Sequence, residues 1–283
     1  MAFADMVTSK VNLILEGLPP LTDYVPAIPT TMVPVVWFTL GWMCMNMIMH
    51  VISYAIAGPT YKKLPLSEKL TWMGWGVTTL HTLVIFTLCY PLVDELYPLW
   101  MAGSMTFVDS PDTIAKAALP MSVFMGYILS DVMFVSVAIM MRGRFEGDDA
   151  GFMVHHLAII VTWYMALTQA KCRGFCIGPM MCEVTQPLLG LRYYMAKYKN
   201  FGLIFTINGI TLLVMWWVFR IGGYVIVQGM SVVNSAGMIM EDPLRVLLVI
   251  NWAIGGVLQV FWGVKILTAA LRFLLPKKKD KTK

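Results

Sequence analysis

Long apolar runs recur along the chain, separated by short segments rich in charge, glycine and proline. Seven of them reach or approach the ~20 residues needed to cross ~30 Å of hydrocarbon. They fall at residues 32–57, 70–90, 118–141, 150–170, 174–195, 201–227 and 245–269. The pattern predicts an all-α transmembrane helix bundle of about seven spans. The run at 174–195 is the weakest, since Glu183, Gln186, Pro187 and Arg192 interrupt it. It is counted because only then do the basic residues of the later loops share a side with those of the earlier ones. Between Pro91 and Ala115 the chain is apolar only around Leu96 to Ala102, too short to cross. This stretch reads as an interfacial segment with Tyr97 and Trp100 at headgroup depth. The first twenty residues read as a short surface helix.

Composition fixes the class. Apolar residues make up 58% of the 283 and charged residues 13%, about half the charged share of a soluble domain. No internal repeat, low-complexity tract or second domain is visible. Residues 1–31 read as a luminal leader, 32–270 as one membrane domain and 271–283 as a basic tail. The first long apolar run begins only near Met32, behind a polar, acidic leader with prolines, so no cleavable signal peptide is expected. The first span then serves as its own insertion signal.

Charge sets the expected orientation. With the C-terminus cytosolic, one side holds Lys62, Lys63, Lys69, Arg142, Arg144, Lys197, Lys199, Lys277, Lys278, Lys279, Lys281 and Lys283. The other holds Lys10, Lys116, Lys171, Arg173 and Arg245. Twelve against five is the bias of positive-inside insertion, which places the N-terminus in the lumen or outside. The net charge of +5 comes largely from the tail and calls for no nucleic acid.

Ionisable residues inside spans are rare and usually mark a site. His155 and His156 stand side by side near the start of the fourth span. At 1.5 Å per residue, His155 lies roughly 8 Å below the cytosolic end of its span and Asn208 about 10 Å. Asp131, His81 and Glu183 lie about 15 Å down theirs. Five spans thus place polar groups in one slab, and a shared polar cavity is the economical arrangement. Arg192 sits nearer the cytosolic edge, within reach of Glu183 only at full stretch. Arg220 reads as snorkelling from the far end of its span. The plainer alternative for the histidine pair is solvation by headgroups. The 24 methionines and 10 tryptophans read as packing and interface anchors. Cys89, Cys172 and Cys176 fall at one membrane face, where a disulfide is an option, while Cys44 and Cys182 read as free, buried thiols.

The run Ser130-Asp131, the short charged loop through Asp148 and the pair His155-His156 resemble the core of the TLC-domain family. His81, Glu183, Pro187, Arg192, Asn208-Gly209 and Arg220 continue the likeness over roughly residues 35–270. That family includes the ceramide synthases, the translocating-chain-associated proteins and small stand-alone TLC-domain proteins, whose pattern is nearest. Ceramide synthases follow the double histidine with a His-Asp pair, then an Asp and a Glu one turn apart. Here those positions read Cys182, Glu183, Gln186 and Gly190. One acid of three survives. The resemblance therefore implies a lipid-holding cavity more than ceramide synthesis.

Two function classes follow. In one, the chain binds or handles lipid without catalysis, in sphingolipid or acyl-chain homeostasis, or serves as a membrane subunit of a larger assembly. In the other, it is an acyl-CoA-dependent acyltransferase, with His155 or His156 as nucleophile or base and Asp131 or Glu183 orienting the ring. His81, Arg192 and Asn208 would line the lipid cavity. The lost second motif favours the first class. Membrane lipids are the expected partners, with other membrane proteins as further candidates and no nucleic acid. No cofactor is expected, acyl-CoA being a substrate in the second class only. Adjacent histidines point about 100° apart on a helix, so no metal site is expected. Lys279 and Lys281 match the spacing of a dilysine retrieval signal, which points to the endoplasmic reticulum.

Overall fold

A computed structural model describes residues 29–102 and 109–274, with residues 6, 8–10, 13 and 16 of the leader. The surface helix expected in the leader and the basic tail with Lys279 and Lys281 lie almost wholly outside these. The described residues are helical, without a strand. In chain order the helices are α1 (Val33–Ile56), α2 (Gly58–Lys62), α3 (Leu66–Met101), α4 (Pro111–Arg142), α5 (Asp149–Gln169), α6 (Arg173–Met181) and α7 (Gln186–Lys197). There follow α8 (Leu203–Met215), a π-helical stretch (Trp216–Val227), α9 (Gln228–Asn234), α10 (Ala236–Ile239) and α11 (Pro243–Leu274). Six passages are long and apolar enough to cross a membrane, α8 to α9 forming one of them. Their outer faces carry exposed Leu83, Met140, Val161, Val214 and Val264, a surface that suits lipid and not water. The chain is an integral membrane protein.

Local chemistry sets the helix ends. Ser110 caps α4, its Oγ accepting from the Thr113 N–H at 3.0 Å, and Pro111 occupies the first turn, where no N–H is needed. Gly143, at φ +70°, closes the same helix. The interfacial segment expected from Pro91 onward is instead the last part of α3, which runs through Pro91 and Pro98. Leu92 and Leu96 bury there against the core. Neighbouring helices offset the lost proline donors, as is common in membrane helices.

A seventh passage, fifth in chain order and not among these six, takes a different course. α6, a 3-10 turn (Cys182–Thr185) and α7 follow one another in a broken line. Gly174 lies beside Leu96, Gly190 beside Thr79 and Trp75, and Lys197 pairs with Glu68. These contacts carry the segment antiparallel along nearly the whole of α3. Packing then closes a ring in the order α3, α4, α5, α11, the α8–π helix and α7, back to α3. α1 stands outside that ring against α3 and α4. Gly126 permits this approach, because a Cβ there would meet the Phe38 Cβ at 2.6 Å and the Thr39 nitrogen at 2.9 Å.

Candidate functional site

The ring surrounds a cavity of about 450 Å³. Its walls are largely apolar and aromatic, with Trp75, Phe124, Tyr127, Phe134, Phe152, Trp216 and Trp262 among them. Its inner end is polar, and its outer end lies among charged residues where α4 gives way to α5. Asp131, His155, His156 and Glu183 all line it. They arrive from three directions: Asp131 from α4, the histidines from the second turn of α5, and Glu183 from the 3-10 turn that breaks the seventh passage.

The histidine pair divides its roles. His156 is buried, and its Nδ1 lies 3.1 Å from the Phe152 carbonyl. A carbonyl only accepts, so Nδ1 carries the hydrogen and the neutral ring presents the Nε2 lone pair. Nε2 lies 3.8 Å from Asp131 Oδ2, longer than a hydrogen bond. The pair is thus arranged as a base beside a carboxyl. The His155 ring is 5.6 Å from that of His156 and meets Trp262 edge-on, and its Nδ1 is buried without a hydrogen-bond partner.

Arg220 corrects its sequence reading. It is buried beside the cavity and does not snorkel to an interface. Its Nε donates to Thr185 Oγ1 at 2.8 Å and its Nη1 to Gln259 Oε1 at 3.0 Å. Nη2 lies 3.6 Å from Glu183 Oε1, and the guanidinium stacks over Trp216. The reason is helix length: α8 continues through the π-helical stretch to Asn234, so Arg220 sits mid-passage, while the sequence reading ended that span at 227. Helix continuity past Val227, with Gln228 and Ser231 on the same stripe as Arg220, was the available signal.

Three further sequence candidates stand apart from the cavity lining. His81 is buried one layer behind it, stacked on the Tyr127 ring at 3.7 Å with both nitrogens unbonded. Tyr127 in turn shares a hydrogen bond with Thr78 at 2.7 Å. Arg192 packs 3.9 Å over the Phe205 ring and donates to the Phe205 carbonyl at 3.4 Å. Asn208 donates to the Leu188 carbonyl at 3.2 Å, which joins α8 to α7. These contacts give Arg192 and Asn208 a packing role. Lys265, Arg142, Asp148 and Asp149, which no sequence argument singled out for the site, line the outer end.

Among the described residues no group of three or more His, Cys, Asp or Glu side chains is placed to hold a metal ion. Among the described residues no disulfide is formed, and Cys44 is exposed, contrary to its reading as buried.

Residues 71–268 match the family model of the TLC domain, well over half of the chain. Human TLC domain-containing protein 4 is 26% identical over 260 residues, which cover 86% of this chain and 92% of that protein. TLC domain-containing protein 4-B of Xenopus laevis is 24% identical over 225 residues, 76% of this chain and 79% of that one. The Danio rerio protein of the same name is 23% identical over 57% of this chain and 58% of its own length. No solved structure matches.

Proposed function

Since the chain belongs to the TLC-domain family, we propose that its cavity holds a membrane lipid and that the protein handles lipid without chemically altering it. One observation carries this reading. A single space of about 450 Å³ joins aromatic and aliphatic walls to a polar end containing His155, His156, Asp131, Glu183 and Arg220. Its size lies within the roughly 300–1,000 Å³ of small-molecule sites, and the mixture of apolar wall and few convergent polar groups is their usual make-up. An acyl chain suits the wall, and a carbonyl or hydroxyl suits the end. In this reading the protein serves acyl-chain or sphingolipid homeostasis, in the endoplasmic reticulum if the Lys279 and Lys281 spacing acts as a retrieval signal.

Acyl transfer is the second reading, favoured by the base-and-carboxyl arrangement of His156 and Asp131. Against it stand Cys182, Gln186 and Gly190 at positions where a ceramide synthase carries ionisable groups.

The deciding experiment pairs mass spectrometry of lipid retained by the purified full-length chain with an acyl-CoA assay on the same material. Lipid handling predicts a defined co-purifying lipid whose identity changes in His155→Ala or His156→Ala, with no turnover. Acyl-CoA-dependent product that disappears with either substitution would overturn it.

A further inference from the structure

The charge lining the cavity speaks to which lipid headgroup it accepts. Three cationic side chains line it, Arg142, Arg220 and Lys265, and each already has an acid. Arg142 pairs with Asp149, Lys265 Nζ lies 2.6 and 2.8 Å from the two Asp148 oxygens, and Arg220 faces Glu183. A fourth acid, Asp131, has the His156 imidazole and the Tyr127 hydroxyl beside it and no cation. Four carboxyls against three cations leave no positive charge for an anionic ligand.

From this balance we infer that the outer end of the cavity receives the headgroup of a zwitterionic phospholipid, one carrying a phosphate and an ammonium with no net charge. The inference rests on the reading that the cavity holds lipid. The mouth is built from two ion pairs side by side, Arg142 with Asp149 and Lys265 with Asp148. A zwitterion enters such a mouth by exchange. Its phosphate takes Lys265 or Arg142, its ammonium takes the carboxylate thus released, and every charge still has a partner. An anionic headgroup takes the cation and strands the carboxylate, which is costly for Asp149, only 20% exposed beside Arg142. An acyl-CoA, with its several phosphate charges, strands both.

Two features ease the exchange. Lys265 and Asp148 are each about half exposed, 50% and 42%, and a pair so exposed is weakly held in water. Phe152, one turn from Asp148, and Trp262, one turn from Lys265, also line the cavity, and aromatic faces attract an ammonium. Asp148 also makes no side-chain capping hydrogen bond to α5, so Asp148→Asn removes no cap from the helix.

The test uses the full-length chain, delipidated in detergent, and ligands with matched acyl chains. Phosphatidylethanolamine, phosphatidylcholine, phosphatidylglycerol, diacylglycerol and palmitoyl-CoA are titrated against thermal stability. The expected result is binding of the two zwitterionic lipids at least about fivefold tighter than that of phosphatidylglycerol or palmitoyl-CoA. Asp148→Asn, which frees Lys265, should narrow that gap, and Asp148→Lys should reverse it. Phosphatidylglycerol or palmitoyl-CoA binding as tightly as phosphatidylethanolamine would overturn the inference, as would a ratio untouched by both Asp148 variants. Equal binding of diacylglycerol would overturn it too, showing that the headgroup goes unread while lipid still binds. If no ligand binds at all, the failure lies with the lipid-holding reading itself.

Discussion

At the α6 end of the bundle, Asp109 and Arg173 direct their polar atoms at backbone. The Asp109 carboxylate accepts from the Arg173 and Gly174 N–H groups, and the Arg173 guanidinium donates to the Ile114, Leu167 and Ala166 carbonyls. In the cavity half, basic side chains leave atoms unengaged: His155 Nδ1 and Arg220 Nη2 are buried without a hydrogen-bond partner. Buried polar groups are normally satisfied, so the first arrangement ties helix ends together and the second flanks open space. The lesson is that an acid and a base inside a membrane protein mark a site only where their bonding is incomplete. By that measure Asp109 and Arg173 are scaffold, and His155 and Arg220 are candidates.

The sharpest way to break this contrast is Arg173→Met. It removes three charge-assisted hydrogen bonds to carbonyls while the Asp109 carboxylate keeps its backbone donors, and should lower stability by roughly 3–5 kcal/mol. A thermal melt of the detergent-solubilised protein would register this, and an unchanged midpoint would deny Arg173 its scaffold role. Next in size is Glu183→Gln. It removes the carboxylate from Arg220 but leaves Thr185 and Gln259, so a loss of about 1–3 kcal/mol is expected. Adding Arg220→Met should recover part of it, because the stranded charge is gone. His155→Ala should move the midpoint by less than about 1 kcal/mol, since Nδ1 has no bond to lose. Its effect belongs in the identity of the retained lipid, or, under the acyl-transfer reading, in a loss of turnover of at least about a hundredfold.

The smallest effect is one of pH, and its sign differs between two acids of the α6 end. Burial pushes the Asp109 carboxyl above its ordinary value, against the pull of the Arg173 and Gly174 N–H groups and the Arg173 charge. The folded chain therefore binds that proton more readily than the unfolded one. This contribution to stability falls as pH rises above about 4. Asp242 is held below the ordinary range by the Leu244 N–H and then by Lys171, 3.1 Å away. Its contribution is present above about pH 4 and is lost as pH falls through the lowered value. Asp242→Asn should therefore flatten the acid side of a stability–pH curve, and Asp109→Asn the side just above it. Curves that shift in the same direction would show that the two acids do not differ.

The apolar passages were legible in the sequence because hydropathy reads what lipid requires, and their interiors agree with the helices observed. Helix ends were less legible. Pro91 and Pro98 suggest a break that packing against the core overrides, and the continuation of α8 beyond Val227 moved Arg220 from an edge to the middle. Depth counting put Asp131, His155, His156 and Glu183 in one slab, and all four line the cavity. The same count grouped His81 and Asn208 with them, because depth says nothing of which way a helix faces. The mouth residues Arg142, Asp148, Asp149 and Lys265 were hidden for a different reason. Charges at helix ends are expected in any membrane protein, and only the ring order shows that these four frame one opening.

The broken seventh passage also bears on how the chain is made. An ordinary crossing partitions into lipid on its own hydrophobicity as it leaves the ribosome. The segment from Arg173 to Lys197 carries Glu183, Gln186 and Arg192 across its middle and is poorly suited to do so. Its contacts with Leu96, Thr79, Trp75 and Glu68 suggest that an already inserted α3 acts as its host. Insertion of this one segment would then be a post-translocational step, dependent on an earlier helix. A chain in which that step failed would have every later helix threaded the wrong way round, with Arg220 and Gln259 carried in inverted passages away from Glu183.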